Sequence, residues 1–168
     1  MRYRRDDVVA RAIEVLDAHG LDALSMRRLA GDLGVQPGAL YHHFTNKDAL
    51  LAAIADEILR RGRRPAEIMA WDAELQLLCL GLRSAMRRHR DGAVLIAQVN
   101  RADAEPLERP LRSALERAGA DADLARVGAR TLLRLVLSHE DDGDDDFALG
   151  LGLLLDGLRQ RVSPSAGS

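Results

Sequence analysis

This chain has little of what usually announces chemistry. One cysteine, Cys79, stands among 168 residues, so an internal disulfide framework is excluded and a reducing compartment is expected. Aromatic residues make up only 3%, which leaves aliphatic side chains to build the core. The most apolar run, Leu149–Leu155, falls far short of the ~20 residues a membrane-crossing helix needs. The opening MRYRRDD is followed by no apolar h-region, so no signal peptide is expected. HExxH, nucleophile-elbow, phosphate-loop and paired-carboxylate motifs are all missing, and Cys79 lies in an apolar helical run where an inert thiol is the default. These absences argue against an enzyme and call for no metal or cofactor. A soluble, cytoplasmic protein is expected.

What is present favours helix. Leucine and alanine dominate, and β-branched residues are sparse. The most informative stretch is LSMRRLAGDLGVQPGALYHHFTNKDALL, from Leu24 to Leu51. It reads as two short helices joined by a tight turn. Ala30 is small enough to let the second helix approach the first, Gly34 suits a left-handed turn residue, and Leu40 plugs the second helix into the core. Gly38, Ala39 and His42 are then left on the outward face, the one that meets a DNA groove in a helix-turn-helix. The net charge of −2 hides an asymmetry that agrees. Residues 1–64 carry 11 Arg and Lys against 9 Asp and Glu, a net of +2, whereas residues 65–168 carry 13 against 17, a net of −4.

Periodicity and caps place the elements. The first helix is expected over Asp6–His19, with Gly20 after its end. Ser25 caps the second, and Pro37 opens the third, Pro37–Phe44. Thr45 and Asn46 cap the fourth, with Thr45 and Asp48 resembling a capping box and a buried stripe of Leu50, Ile54 and Ile58. Arg60–Pro65 reads as a hinge. Beyond it, helices are expected over Trp71–Arg88, Ala93–Asn100, Glu105–Ala118 (bent by Pro110), Asp121–His139 and Asp145–Val162. The resulting expectation is an all-α chain in four parts. Residues 1–48 form a helix-turn-helix DNA-binding domain, 49–64 a connecting helix, 65–162 a helical regulatory and dimerisation domain, and 163–168 a flexible tail.

The amino-terminal unit, with LYHHF followed by NKDALL, closely resembles the TetR family of bacterial transcriptional repressors. The likeness extends to LRSAMRRHRDGA at Leu82–Ala93 and FALGLGLLLDGL at Phe147–Leu158, which look like a tetracycline-repressor type of regulatory domain. The resemblance implies a homodimer that binds a palindromic double-stranded operator and is released by a small molecule. It also implies roles for single residues. Arg27 stands where the family reads a base or phosphate, and Pro37, Gly38, Ala39 and His42 stand where it faces the major groove. Tyr41, His43 and Lys47, the chain's only lysine, match positions that contact the DNA backbone. Arg28 and Gln36 complete the expected DNA-binding set. Gln36 departs from the family, where a small hydroxyl residue is commoner. Because Gly38 and Ala39 offer almost no polar atoms, specificity is expected to rest on Arg27, His42, thymine-methyl contacts and DNA shape. Arg2, Arg4 and Arg5 precede the first helix and suit either a basic arm on DNA or a solvated tail.

In the second half, Leu78, Leu82, Ile96, Val99 and Leu137 are candidates to line a small-molecule cavity, and Asn100, Arg112 and His139 to orient its occupant. Aligned through HRDGA, the tetracycline-type repressor has an asparagine at Leu78 and a metal-binding histidine at Ile96. Neither aliphatic residue does that work, so the expected effector is an apolar molecule rather than tetracycline–magnesium. The acidic run Glu140–Asp146 fails as a calcium loop because Leu149 stands where the closing acid is required. The last helix is apolar or small nearly all round, which suits pairing with Leu124–Leu137 across a two-fold axis. That symmetry sets two reading helices ~34 Å apart. A helical ligand-binding or interaction module without operator binding is the alternative reading.

Overall fold

A computed structural model of the chain describes residues 3–62, 70–138 and 143–162. Among these, the secondary structure is helical: α1 (Arg5–His19), a 3-10 turn (Leu21–Ala23), α2 (Met26–Asp32), α3 (Pro37–Tyr41), α4 (Lys47–Gly62), α5 (Trp71–Arg88), α6 (Gly92–Ala102), α7 (Glu105–Arg117), α8 (Ala122–Ser138) and α9 (Asp144–Arg159). Most of the hinge expected at Arg60–Pro65, the expected tail at 163–168 and the acidic residues Glu140–Asp142 lie outside the described residues. No helix among the described residues is long and apolar enough to cross a membrane.

The chain forms two compact units, one of residues 1–61 and 85–103, the other of 62–84 and 104–168. Residues 85–103, expected within a regulatory domain, thus share a unit with the helix-turn-helix.

The first unit is built on α1. Its acidic first turn, Asp6 and Asp7, suits the positive end of the helix, and the Arg4 N–H donates to the Asp7 carboxylate at 2.8 Å. Val8, Val9, Ala12, Ile13 and Leu16 form a buried stripe on α1, and Leu24, Leu29, Leu50, Leu51 and Ile54 of the same unit are fully buried as well. Each such leucine is worth roughly 1.5–3 kcal/mol against exposure, which is why amphipathic helices this short hold together.

α1 ends at Gly20, and there the chain meets residues some seventy positions later. The Leu21 N–H donates to Asp91 Oδ2 at 2.8 Å, and Arg90 Nη1 donates to the Ala18 carbonyl at 3.2 Å. His89 Nδ1 faces Asp17 Oδ1 at 2.9 Å. Asp91 precedes α6 in the left-handed conformation, φ +53°, yet its carboxylate does not cap α6. It caps the 3-10 turn instead. Gly20 lies at φ +83° and ψ 173°, and a Cβ there would stand 2.6 Å from Asp91 Oδ2. Only glycine occupies that backbone region at low cost and leaves room for the carboxylate.

In the second unit α7 and α8 pack through Leu107, Leu111, Ala114 and Leu115 on one side and Ala125, Ala129, Leu132 and Leu133 on the other. Pro110 sits inside α7 without ending it, at the cost of one backbone hydrogen bond. Among the described residues two charged side chains are buried here, and both are paired. Arg83 of α5 forms an ion pair with Asp144 at the start of α9 and lies 4.6 Å over the Phe147 ring. Glu108 accepts from Arg130 Nε at 3.1 Å. Cys79 is 1% exposed, and burial pushes its thiol up to about 12. It is inert at neutral pH, as its apolar surroundings suggested.

Candidate nucleic-acid interface

The helix-turn-helix is assembled from few residues. Ser25 caps α2, its hydroxyl accepting the Arg28 N–H at 3.2 Å, while Met26, Leu29 and Ala30 are buried beneath. Ala30 is 1% exposed, and its single methyl group is the smallest side chain that can fill a buried position against a neighbouring helix. Gly34 then takes φ +66°, and the Val35 N–H returns to the Ala30 carbonyl at 2.9 Å, closing the turn. Pro37 starts α3 with φ already set, and Gln36 precedes it without a side-chain cap.

α3 runs only from Pro37 to Tyr41, shorter than the Pro37–Phe44 helix expected. The reason lies at Phe44. Its ring is 2% exposed, so the chain turns inward there, with the His43 and Phe44 N–H groups both donating to the Leu40 carbonyl at 2.9 and 3.0 Å. α4 begins three residues later, its Ala49 N–H satisfied by Asn46 Oδ1 at 2.8 Å. Asn46 therefore provides this cap.

Leu40 is the single buried residue of α3, at 1% exposure. Around it, Gln36, Pro37, Gly38, Ala39, Tyr41, His42 and His43 are all exposed, the Tyr41 ring to 53%. Arg27, Arg28 and Lys47 are exposed on the flanking helices. All ten residues expected to face DNA thus belong to one unit and open to solvent. Among the described residues, Arg27, Arg28 and Lys47 have no carboxylate partner. Arg11 and Arg60 of the same unit do, to Glu14 at 2.6 Å and Glu57 at 2.7 Å. Cations without an acid partner thus stand beside α3, and an exposed small-residue helix between them fits a groove lined by phosphates.

The expected effector residues divide between the units. Ile96, Val99 and Asn100 lie in the unit that holds α3, and Leu78, Leu82, Arg112 and Leu137 in the other. Leu82, Ile96 and Val99 are buried, and Leu78, Asn100, Arg112 and Leu137 are half-buried. Arg112 is engaged within its own helix, donating to Glu105 at 2.9 and 2.5 Å, with Glu116 at 3.7 Å. His139 lies outside the described residues. Sequence reasoning missed the Gly20–Asp91 junction. The HRDGA segment was its one signal, and nothing local says that its aspartate caps a distant turn.

A family model described as "Bacterial regulatory proteins, tetR family" matches residues 8–54, the span from α1 through the turn into α4. The tetracycline repressor protein class A from transposon 1721 of Escherichia coli is 30% identical over 204 residues, covering 95% of this chain and 92% of that protein. Against the class D tetracycline repressor of Escherichia coli the chain is 41% identical over 95 residues, spanning 44% of that protein's length. Among solved structures, BioQ of Mycobacterium smegmatis is 38% identical with a TM-score of 0.82, covering 95% of this chain and 99% of that one. BioQ bound to its natural double-stranded DNA operator is 39% identical with a TM-score of 0.77, over 93% and 98% of the two chains. ActR of Streptomyces coelicolor in complex with (S)-DNPA is 26% identical with a TM-score of 0.78, over 95% and 98%.

Proposed function

Because the chain belongs to the TetR family of bacterial regulatory proteins, we propose that it is a cytoplasmic, ligand-responsive transcriptional repressor with no catalytic activity. It binds a palindromic operator as a homodimer and is released by a small, apolar molecule. One observation carries the reading: the exposed face of α3 stands among Arg27, Arg28 and Lys47, none of them neutralised by an acid among the described residues. Arg27, Tyr41, His43 and Lys47 hold phosphates or base edges, Arg28 and Gln36 add donors, and Pro37, Gly38, Ala39 and His42 lie against the groove floor. With so few polar atoms on α3, methyl contacts and groove shape carry much of the discrimination.

Dimerisation is supported by α9. Leu149 and Leu153 are 65% and 67% exposed, and Val127 of α8 is 51% exposed. Where a Cβ of Gly152 or Gly157 would stand, nothing lies within 4 Å. An apolar, small-residue face left open in this way suits a second copy of the same pair of helices. A solved relative with operator DNA and another with a small molecule support the two binding activities. Leu78, Leu82 and Leu137 of one unit, and separately Ile96, Val99 and Asn100 of the other, remain proposed ligand contacts; His139, also proposed, lies outside the described residues. Arg112, already bridged to Glu105, is the weakest member of that set.

An electrophoretic shift on the DNA upstream of the chain's own gene tests the proposal. The wild type retards it, and an Arg27→Ala/Tyr41→Ala double variant with unchanged unfolding behaviour weakens binding by about tenfold or more. Wild-type protein that binds no duplex at low salt refutes the repressor reading in favour of a helical ligand-binding module.

A further inference from the structure

Arg5, the first residue of α1, is not part of a loose tail. Its guanidinium carbon stands 5.0 Å from the centre of the Phe44 ring, which is itself 2% exposed. Arg5 remains exposed while lying over a ring that belongs to the core. Phe44 joins the end of α3 to the start of α4, with the His43 ring beside it at 6.4 Å and Lys47 three residues on. A cation from the start of α1 is thereby brought to the α3–α4 junction, where Tyr41, His43 and Lys47 are exposed.

The stacking matters for what the guanidinium does next. A planar fork resting on a ring uses its face, and its N–H donors lie in the plane, directed to the rim. Among the described residues no carboxylate pairs with Arg5. Of the neighbouring acids, Asp7 accepts the Arg4 N–H at 2.8 Å and Asp6 lies in the field of Arg60. A side chain already ordered by Phe44 also loses less rotamer freedom when it meets an anion.

We infer that Arg5 is a phosphate-binding residue of the DNA interface, held in position by Phe44. It extends the backbone contact of each reading head beyond Lys47. The inference rests on the proposed reading in which α3 meets duplex DNA, and it assigns the contact to the phosphate rather than to a base. The contact therefore carries no sequence information, and any duplex reveals it.

The experiment uses the full chain and a random-sequence 30-base-pair duplex, with affinity measured across a series of salt concentrations. Arg5→Met keeps an apolar cover over Phe44 and removes the charge, and Arg5→Gln removes the charge with a polar stem. Each is expected to lower the slope of log affinity against log salt by about 0.9 for every head engaged. Unfolding midpoints are measured alongside. If both variants shift the midpoint but keep the wild-type slope, Arg5 only covers the ring and the inference is overturned alone. If the wild type binds no duplex at any salt, the repressor reading falls and the inference with it.

Discussion

Gly20→Ala puts the junction between α1 and the turn before α6 under direct test. At φ +83° and ψ 173° the position lies in a region nearly reserved for glycine, where an alanine costs roughly 1–3 kcal/mol in backbone strain. The new Cβ would also stand 2.6 Å from Asp91 Oδ2, so the carboxylate has to swing away. The Leu21 N–H, now satisfied at 2.8 Å, then loses its acceptor in a part-buried setting, which costs roughly another 1–3 kcal/mol. Together the loss is about 2–6 kcal/mol, a large share of the ~5–15 kcal/mol that holds a typical domain. Urea unfolding followed by circular dichroism, at one fixed protein concentration, measures it. A double-mutant cycle isolates the mechanism. In an Asp91→Ala background there is no carboxylate to displace, so Gly20→Ala retains only its strain, and the double variant is less damaged than the sum of the singles by about 1–3 kcal/mol. Two outcomes refute the reasoning: a Gly20→Ala protein within about 0.5 kcal/mol of wild type, or single effects that add within that margin.

Two further outcomes follow from the cores. Burial raises Cys79 from its ordinary 9.0 to about 12, so the folded protein holds a proton that the unfolded chain releases across that interval. Stability from this group is complete below pH 9 and falls as pH rises towards 12; Cys79→Ala is expected to flatten that decline relative to wild type, and parallel profiles would count against it. Leu40→Ala removes the one buried residue of α3 and is expected to cost about 2–5 kcal/mol. Hydrogen exchange should then show the amides of α3 exchanging faster than those of α1, whereas uniform protection would mean that another residue anchors α3.

Much of the helical order was readable because its signals are local. Ser25 before α2, Pro37 at the start of α3 and the 3.6-residue recurrence of Val9, Ile13 and Leu16 each reflect physics within one or two turns. Trp71–Arg88 was placed to the residue, since its apolar stripe and basic last turn agree. The outward set of α3 was equally legible once Leu40 fixed the helical phase. What escaped depended on distance. The end of α3 at Tyr41 follows from the inward turn of Phe44. The Arg5–Phe44 stack joins residues that no periodicity relates. Residues 85–103 were assigned by position along the chain, while their packing follows a carboxylate that reaches back across seventy residues. Arg112 was a polar candidate to orient a ligand beside the apolar faces; its bridge to Glu105, two turns earlier on the same helix, depends on rotamers that spacing alone does not fix.

The Asp91 cap has a practical corollary for dissecting this protein. Cutting after residue 64, where a linker reading of the sequence invites it, would discard the acceptor of the Leu21 amide along with the buried Leu95, Ile96 and Val99. The severed piece would keep every side chain proposed to touch DNA and still be a poorer binder, because part of its scaffold is encoded downstream. A fragment that keeps this unit whole must therefore be discontinuous, with residues 85–103 grafted back onto 1–61.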